Sequence, residues 1–158
     1  LLRNARVRSP LLQGKVGWVF QPVSLDAMRK AAALLLGEHD FSAFRAAECQ
    51  AASPVRELTQ LTIHQDHELF VFEFEANAFL HHMIRNLMGA LVYVGMGRQA
   101  PEWVTELLQH KDRRRAAPTF AADGLYLTGV DYPAEYGLPI TSSRQLCQRF
   151  LGIQWGKS

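Results

Sequence analysis

Cysteine is scarce in this chain: Cys49 and Cys147 are the only two among 158 residues, far apart and in no CxxC pair. That excludes a disulfide-stapled scaffold and a thiolate zinc knuckle, and it points to free thiols in a reducing, cytoplasmic setting. Neither thiol stands beside an obvious helix N-terminus or a basic cluster beyond Arg45 and Arg149, which disfavours cysteine nucleophilic catalysis. Long hydrophobic runs are missing too. The longest, residues 87–96, is about half of what a membrane-spanning helix needs, and no signal peptide is visible. There is no phosphate-binding loop, dinucleotide fingerprint, HExxH, internal repeat or low-complexity segment. A formal net charge of +2 gives no strong field of either sign, so the placement of charge matters more than its total.

What is present is ordinary globular material. Hydrophobic content of 48% and charged content of 20% suit one domain with a real core. The chain opens on Leu inside a strand-like stretch, which suggests a piece of something longer. Basic residues gather twice, at Arg3, Arg6 and Arg8 and again at Lys111, Arg113, Arg114 and Arg115; solvated loops and phosphate contacts are both open readings.

Residues 77–97, NAFLHHMIRNLMGALVYVGMG, organise the rest. Asn77 is a good N-cap and Gly95 and Gly97 are suitable exits. Phe79, Met83, Leu87, Ala90, Leu91 and Val94 recur at helical spacing, while Leu80, Ile84 and Met88 fill much of the remaining circumference. Such a helix is buried, yet it carries Arg85. A buried guanidinium needs a carboxylate or several carbonyls, and no acid stands one turn away. Two readings stay open at this point: a structural arginine on backbone carbonyls, or one that ionises a catalytic carboxylate.

Around this helix the pattern predicts a strand over residues 1–7 and another over 16–20. A helix capped by Ser24 follows, with Leu25, Met28, Ala32, Leu35 and Leu36 inward and Gly37 at its end. Residues 38–45 read as a turn or short helical segment, with Phe41 and Phe44 packing inward, and residues 46–54 as a loop. A hairpin joins strands 56–64 and 68–76. Alternation places Phe70, Phe72 and Phe74 on one face and Glu73 and Glu75 on the other. A helix opening at Pro101, with Trp103, Val104, Leu107 and Leu108 inward, leads to a basic loop over 113–118. Asp123-Gly124 then turns into a last strand over 125–130. The order is that of an α+β, ferredoxin-like split βαβ arrangement, an antiparallel sheet with helices on one face and one helix extra. Residues 1–139 form this domain; residues 140–158 are a tail with a short helix over 144–151.

Two other chemistries are weighed and set aside. His81 and His82 are adjacent, about 100° apart on a helix, and so not placed like i,i+4 metal ligands; no metal site is expected. The Phe row superficially suits RNA stacking, but no Lys/Arg-Gly-aromatic signature precedes it and Glu73 and Glu75 would repel phosphate, so core phenylalanines are favoured.

Four segments, GEHDFSAFR (37–45), SPVREL (53–58), ANAFLHHMIRNLMGAL (76–91) and DGLYLTGVDYP (123–133), resemble the tRNA pseudouridine synthase I family in the right order. The likeness runs over about residues 1–139 and corresponds to the family's C-terminal half. It implies isomerisation of uridine in the tRNA anticodon stem-loop, without metal or organic cofactor, by a cytoplasmic homodimer that binds tRNA across both subunits. The family's Gly-Arg-Thr-Asp loop with its nucleophilic aspartate is absent from this sequence, as is a base-contacting tyrosine. By the same resemblance Arg85 is the helix arginine that pairs with that aspartate. Leu125 packs against the target base, with Tyr126 and Leu127 as the floor around it. His81, His82 and Asn86 share the arginine's motif and are expected on the substrate side. Arg45, Arg56, Lys111, Arg113, Arg114 and Arg115 are expected tRNA phosphate contacts. A non-catalytic RNA-binding module of the same topology is the alternative, and a protein-interaction domain with no RNA-dependent role a third.

Overall fold

In the computed structural model, residues 1–137 are described; the expected helix over 144–151 and Cys147 lie outside them. Contacts divide the chain into Leu1–Leu125 and Tyr126–Ser158. The first unit is an α+β domain built on a mixed five-stranded sheet. Its strands are β1 (Leu2–Asn4), β2 (Gly17–Val19), β3 (Gly37–Asp40), β4 (Val55–Asp66) and β5 (Leu69–Ala76), in the spatial order β2-β1-β5-β4-β3. β1 and β2 are parallel; every other pair is antiparallel. A parallel pair needs a crossover of about a dozen residues, supplied here by residues 5–16 with a 3-10 turn at Pro10–Leu12.

The hairpin β4–β5 fixes which face is core. Ile63 pairs with Phe72 and Leu61 with Phe74, so the Phe row shares its face with the buried aliphatics. Glu73 lies on the opposite face, where its carboxylate accepts from Thr62 Oγ1 at 3.1 Å. A bulge between Leu58 and Gln60 shifts β4 by one residue. Strict alternation would put Leu58 and Leu61 on opposite faces; the extra residue lets Leu58, Leu61 and Ile63 all be buried together.

Helix α1 (Leu25–Ala33) begins as its sequence says: Ser24 Oγ accepts from Ala27 N–H at 3.2 Å and Asp26 sits in the first turn. Met28, Ala32 and Leu35 are buried, but Leu36 is on the surface. The helix docks on α2 (Met83–Gly95), where a Cβ on Gly95 would stand 2.8 Å from Met28 Cγ. Helix α3 (Trp103–His110) closes with Lys111 in the left-handed region and buries Val104, Leu107 and Leu108.

Three sequence expectations change. The long helix starts at Met83, not near Asn77: Asn77 Oδ1 accepts from Glu57 N–H and its own N–H bonds Glu57 O, which prolongs the hairpin ladder instead of capping a helix. Of residues 38–45, expected as a turn or short helical segment, 38–40 belong to the edge strand β3 paired with β4, while Ser42–Phe44 do form a short 3-10 turn. Residues 125–130 join no strand ladder; after Leu125 the second unit holds a short 3-10 turn at Ala134–Tyr136.

Candidate active site

Arg85 is placed by the way the chain enters α2. After β5 it runs irregularly, burying Leu80, and His81 is tied to the loop before β4 by Ala46 N–H to its carbonyl at 3.0 Å and by its own N–H to Cys49 Sγ at 3.4 Å. His82 then takes a left-handed conformation, φ 60°, and the helix begins. Histidine is among the residues enriched at such angles. The first turn lacks a capping side chain; Leu80 O takes the Met83 N–H at 2.9 Å and His82 O the Asn86 N–H at 3.0 Å.

From this turn the partly buried Arg85 extends toward residues 117–120. Its Nε donates to Phe120 O at 2.8 Å, and Phe120 N–H returns a bond to Arg85 O at 3.1 Å. Nη1 lies 3.0 Å from His82 Nε2. Arginine has donors only, so His82 accepts there with its lone pair, which places the imidazole proton on Nδ1. Burial chiefly, then the charges of His81 and Arg85, push His82 below the ordinary histidine value; Glu48 pulls the other way. The rings of His81 and His82 sit 4.1 Å apart. No carboxylate among the described residues pairs with Arg85, and its second terminal nitrogen, Nη2, carries no bond there.

One helical position on, Asn86 is 1% exposed and makes three side-chain bonds. Its Nδ2 donates to Phe44 O at 2.8 Å; its Oδ1 accepts from Thr119 Oγ1 at 2.7 Å and from an Arg113 terminal nitrogen at 3.1 Å. Arg113 also bonds Ala117 O at 2.8 Å and Thr119 Oγ1 at 3.0 Å, and burial lowers its pKa. Asn86 is thus buried, and the partly exposed Arg113 is engaged by three intramolecular partners. Gly89 explains how the loop comes so near, since a Cβ there would stand 2.3 Å from Pro118 O.

Leu125 follows a turn fixed by glycine. Gly124 has φ +85°, a Cβ on it would meet Leu1 O at 2.3 Å and Gly17 N at 2.7 Å, and its carbonyl accepts from the Leu1 amine at 2.7 Å. Leu125 N–H closes the turn on Ala122 O, and its side chain is 49% exposed, an apolar surface beside the sheet edge. Tyr126 opens the second unit and is likewise half exposed.

The remaining basic residues divide by what already holds them. Arg45 staples its loop through Cys49 O and Ala51 O. Arg56 bonds Ser53 O and Val55 O. Lys111 pairs with Asp40 at 2.9 Å, and Arg114 with Asp112 at 2.9 Å, which holds that carboxyl below the usual range. Arg115 is exposed with no side-chain bond among the described residues. Among those residues no three His, Cys, Asp or Glu side chains gather to hold a metal ion, and no helix is long and apolar enough to cross a membrane. Sequence reasoning missed Thr119 and Phe120, which act through a hydroxyl and a carbonyl; the one signal was a glycine, Gly89, inside an otherwise bulky helix.

An arginine offered from a buried helix and an exposed leucine turn on the same α+β domain are now accompanied by a family match. The profile described as tRNA pseudouridine synthase covers residues 31–133, and the chain belongs to that family. Among its relatives, the tRNA pseudouridine synthase A of Bordetella petrii is 56% identical over 151 residues, 95% of this chain and 56% of the relative. The Dechloromonas aromatica protein of the same name is 57% identical over 88% of this chain and 53% of its own length. The one from Burkholderia mallei is 59% identical over 84% and 49%. The chain thus spans about half the length of the curated relatives it matches.

Proposed function

We propose that this chain is the C-terminal half of a tRNA pseudouridine synthase, completing an active site whose nucleophilic aspartate lies elsewhere in the protein. The observation that carries the reading is Arg85: anchored by Phe120 O and His82 Nε2, it has, among the described residues, no bond at Nη2 and no carboxylate partner. A partly buried cation so arranged stabilises an incoming carboxylate in its ionised form and sets its direction.

The reaction breaks the N-glycosidic bond of uridine, turns the base, and rejoins it to the ribose through C5. The C5 proton leaves and N1 regains one. An ionised aspartate serves as nucleophile or base, Arg85 holds it, and the apolar face of Leu125 retains the detached uracil while it turns. The base leaves its stack to reach the pocket, at a few kcal/mol. The relatives' name supports tRNA as substrate; the anticodon stem-loop, a cytoplasmic homodimer, and phosphate contacts from Arg115 and its neighbours complete the reading.

Tritium release from C5-labelled uridine in tRNA tests it. The 158-residue chain alone is expected to be inactive, and Arg85→Ala in the full-length enzyme to lose turnover while keeping its tRNA affinity. Turnover by the isolated chain, or a fully active Arg85→Ala enzyme, refutes the assignment.

A further inference from the structure

The resemblance places His82 on the substrate side, but its ring does something more specific. We propose that His82 is a positioning residue for Arg85: its neutral ring, with the Nε2 lone pair aimed at the guanidinium, fixes the direction in which the arginine offers its open nitrogen. This rests on the catalytic reading of Arg85.

The geometry makes the argument. A guanidinium held only at Nε still swings about the bond to its stem. A second bond in its plane, from Nη1 to His82 Nε2 at 3.0 Å, stops that swing, so Nη2 points one way. The imidazole is itself held from two sides. The left-handed backbone at φ 60° sets where the side chain leaves, and the His81 ring lies 4.1 Å away. The acceptor role exists only in one protonation state. A proton on Nε2 turns the acceptor into a donor and sets two like charges 3.0 Å apart, so one side chain has to move.

The charged groups facing the ring come from three places: His81 from the preceding residue and Arg85 from α2, which oppose protonation, and Glu48 from the loop before β4, which favours it. Their balance, with burial the largest cause, keeps His82 neutral below the ordinary value of 6.5. The sign follows. Arg85 is held in place at neutral pH, and the bond is lost as pH falls through the lowered His82 value, so turnover acquires an acid limb below 6.5 that belongs to the histidine.

The test pairs a spectroscopic and a kinetic reading on the full-length protein. Long-range nitrogen correlation spectra of histidine-labelled protein at neutral pH are expected to show His82 with a bare Nε2 and a protonated Nδ1. Removing the acceptor by His82→Leu is expected to lower kcat by on the order of 10- to 100-fold, the scale set by small misplacements of catalytic groups, with the Kd for tRNA unchanged. His82→Gln, whose amide oxygen accepts without titrating, restores part of kcat and removes the histidine's share of the acid limb. A protonated Nε2 at neutral pH overturns the proposal by itself, whatever the chain catalyses. So does a His82→Gln enzyme with the wild-type acid limb. A fully active Arg85→Ala enzyme instead removes the catalytic reading and this proposal with it.

Discussion

Replacing Asn86 by alanine tests whether the residue beside the arginine serves the fold or the substrate. The side chain is 1% exposed and makes three bonds, to Phe44 O, Thr119 Oγ1 and Arg113. Truncation strands the Phe44 carbonyl in a residue with no solvent contact, at about 1–3 kcal/mol. It also takes one charge-assisted bond from Arg113, about 1.5–3 kcal/mol, offset in part because that guanidinium keeps Ala117 O and Thr119 Oγ1. Thr119 is at the surface and can turn its hydroxyl to water. The net loss is roughly 2–5 kcal/mol, a large share of the ~5–15 kcal/mol that holds a typical domain. Urea denaturation of the 158-residue chain, followed by circular dichroism, reads it as a lower midpoint at unchanged slope. Asn86→Asp keeps the acceptors for Thr119 and Arg113 but faces the Phe44 carbonyl with another oxygen, and it should fall between the two. A midpoint for Asn86→Ala within about 0.5 kcal/mol of wild type refutes the network as a structural element and returns Asn86 to the substrate side.

Two further outcomes follow from the same region. Gly89→Ala raises helix propensity by about 1 kcal/mol, yet its Cβ would sit 2.3 Å from Pro118 O, so overpacking of about 1–3 kcal/mol prevails; a lower melting temperature is expected, and a higher one shows that the loop yields freely. Arg115→Ala should reduce the salt dependence of tRNA binding by about one unit of log–log slope without moving the denaturation midpoint, whereas Arg113→Ala should lower the midpoint; filter binding across salt concentrations separates them, and an unaltered slope for Arg115→Ala removes it from the interface.

Much of this was legible in the chain. Ser24 announced α1, alternation in residues 69–76 put the phenylalanines on the core face, and the apolar run after Met83 placed α2. The beginning of that helix was not legible, because Phe79 and Leu80 fall at helical spacing for another reason: Leu80 is buried from an irregular segment, and Phe79 stays 40% exposed. The edge strand β3 hid because GEHD carries no alternation; its place in the sheet comes from backbone pairing to β4. The reverse error occurred at residues 125–130, whose β-like composition meets no ladder. At the site, charged residues were visible and their engagements were not. Five of the six basic residues expected on tRNA are held by intramolecular bonds through their own guanidinium or ammonium groups in ways that depend on loop geometry: Arg45, Arg56, Lys111, Arg113 and Arg114.

The segment from Phe120 to Leu125 has a mechanical consequence. One end is fastened to the helix by the reciprocal Arg85–Phe120 bonds, the other to the sheet edge where Gly124 meets Leu1 and Gly17. The five steps from Phe120 to Leu125 reach at most roughly 17 Å when pulled straight, so the segment works as a tether that sets an upper limit on the distance between its two fastenings. While both fastenings hold, the backbones of Phe120 and Leu125 stay within that reach of each other.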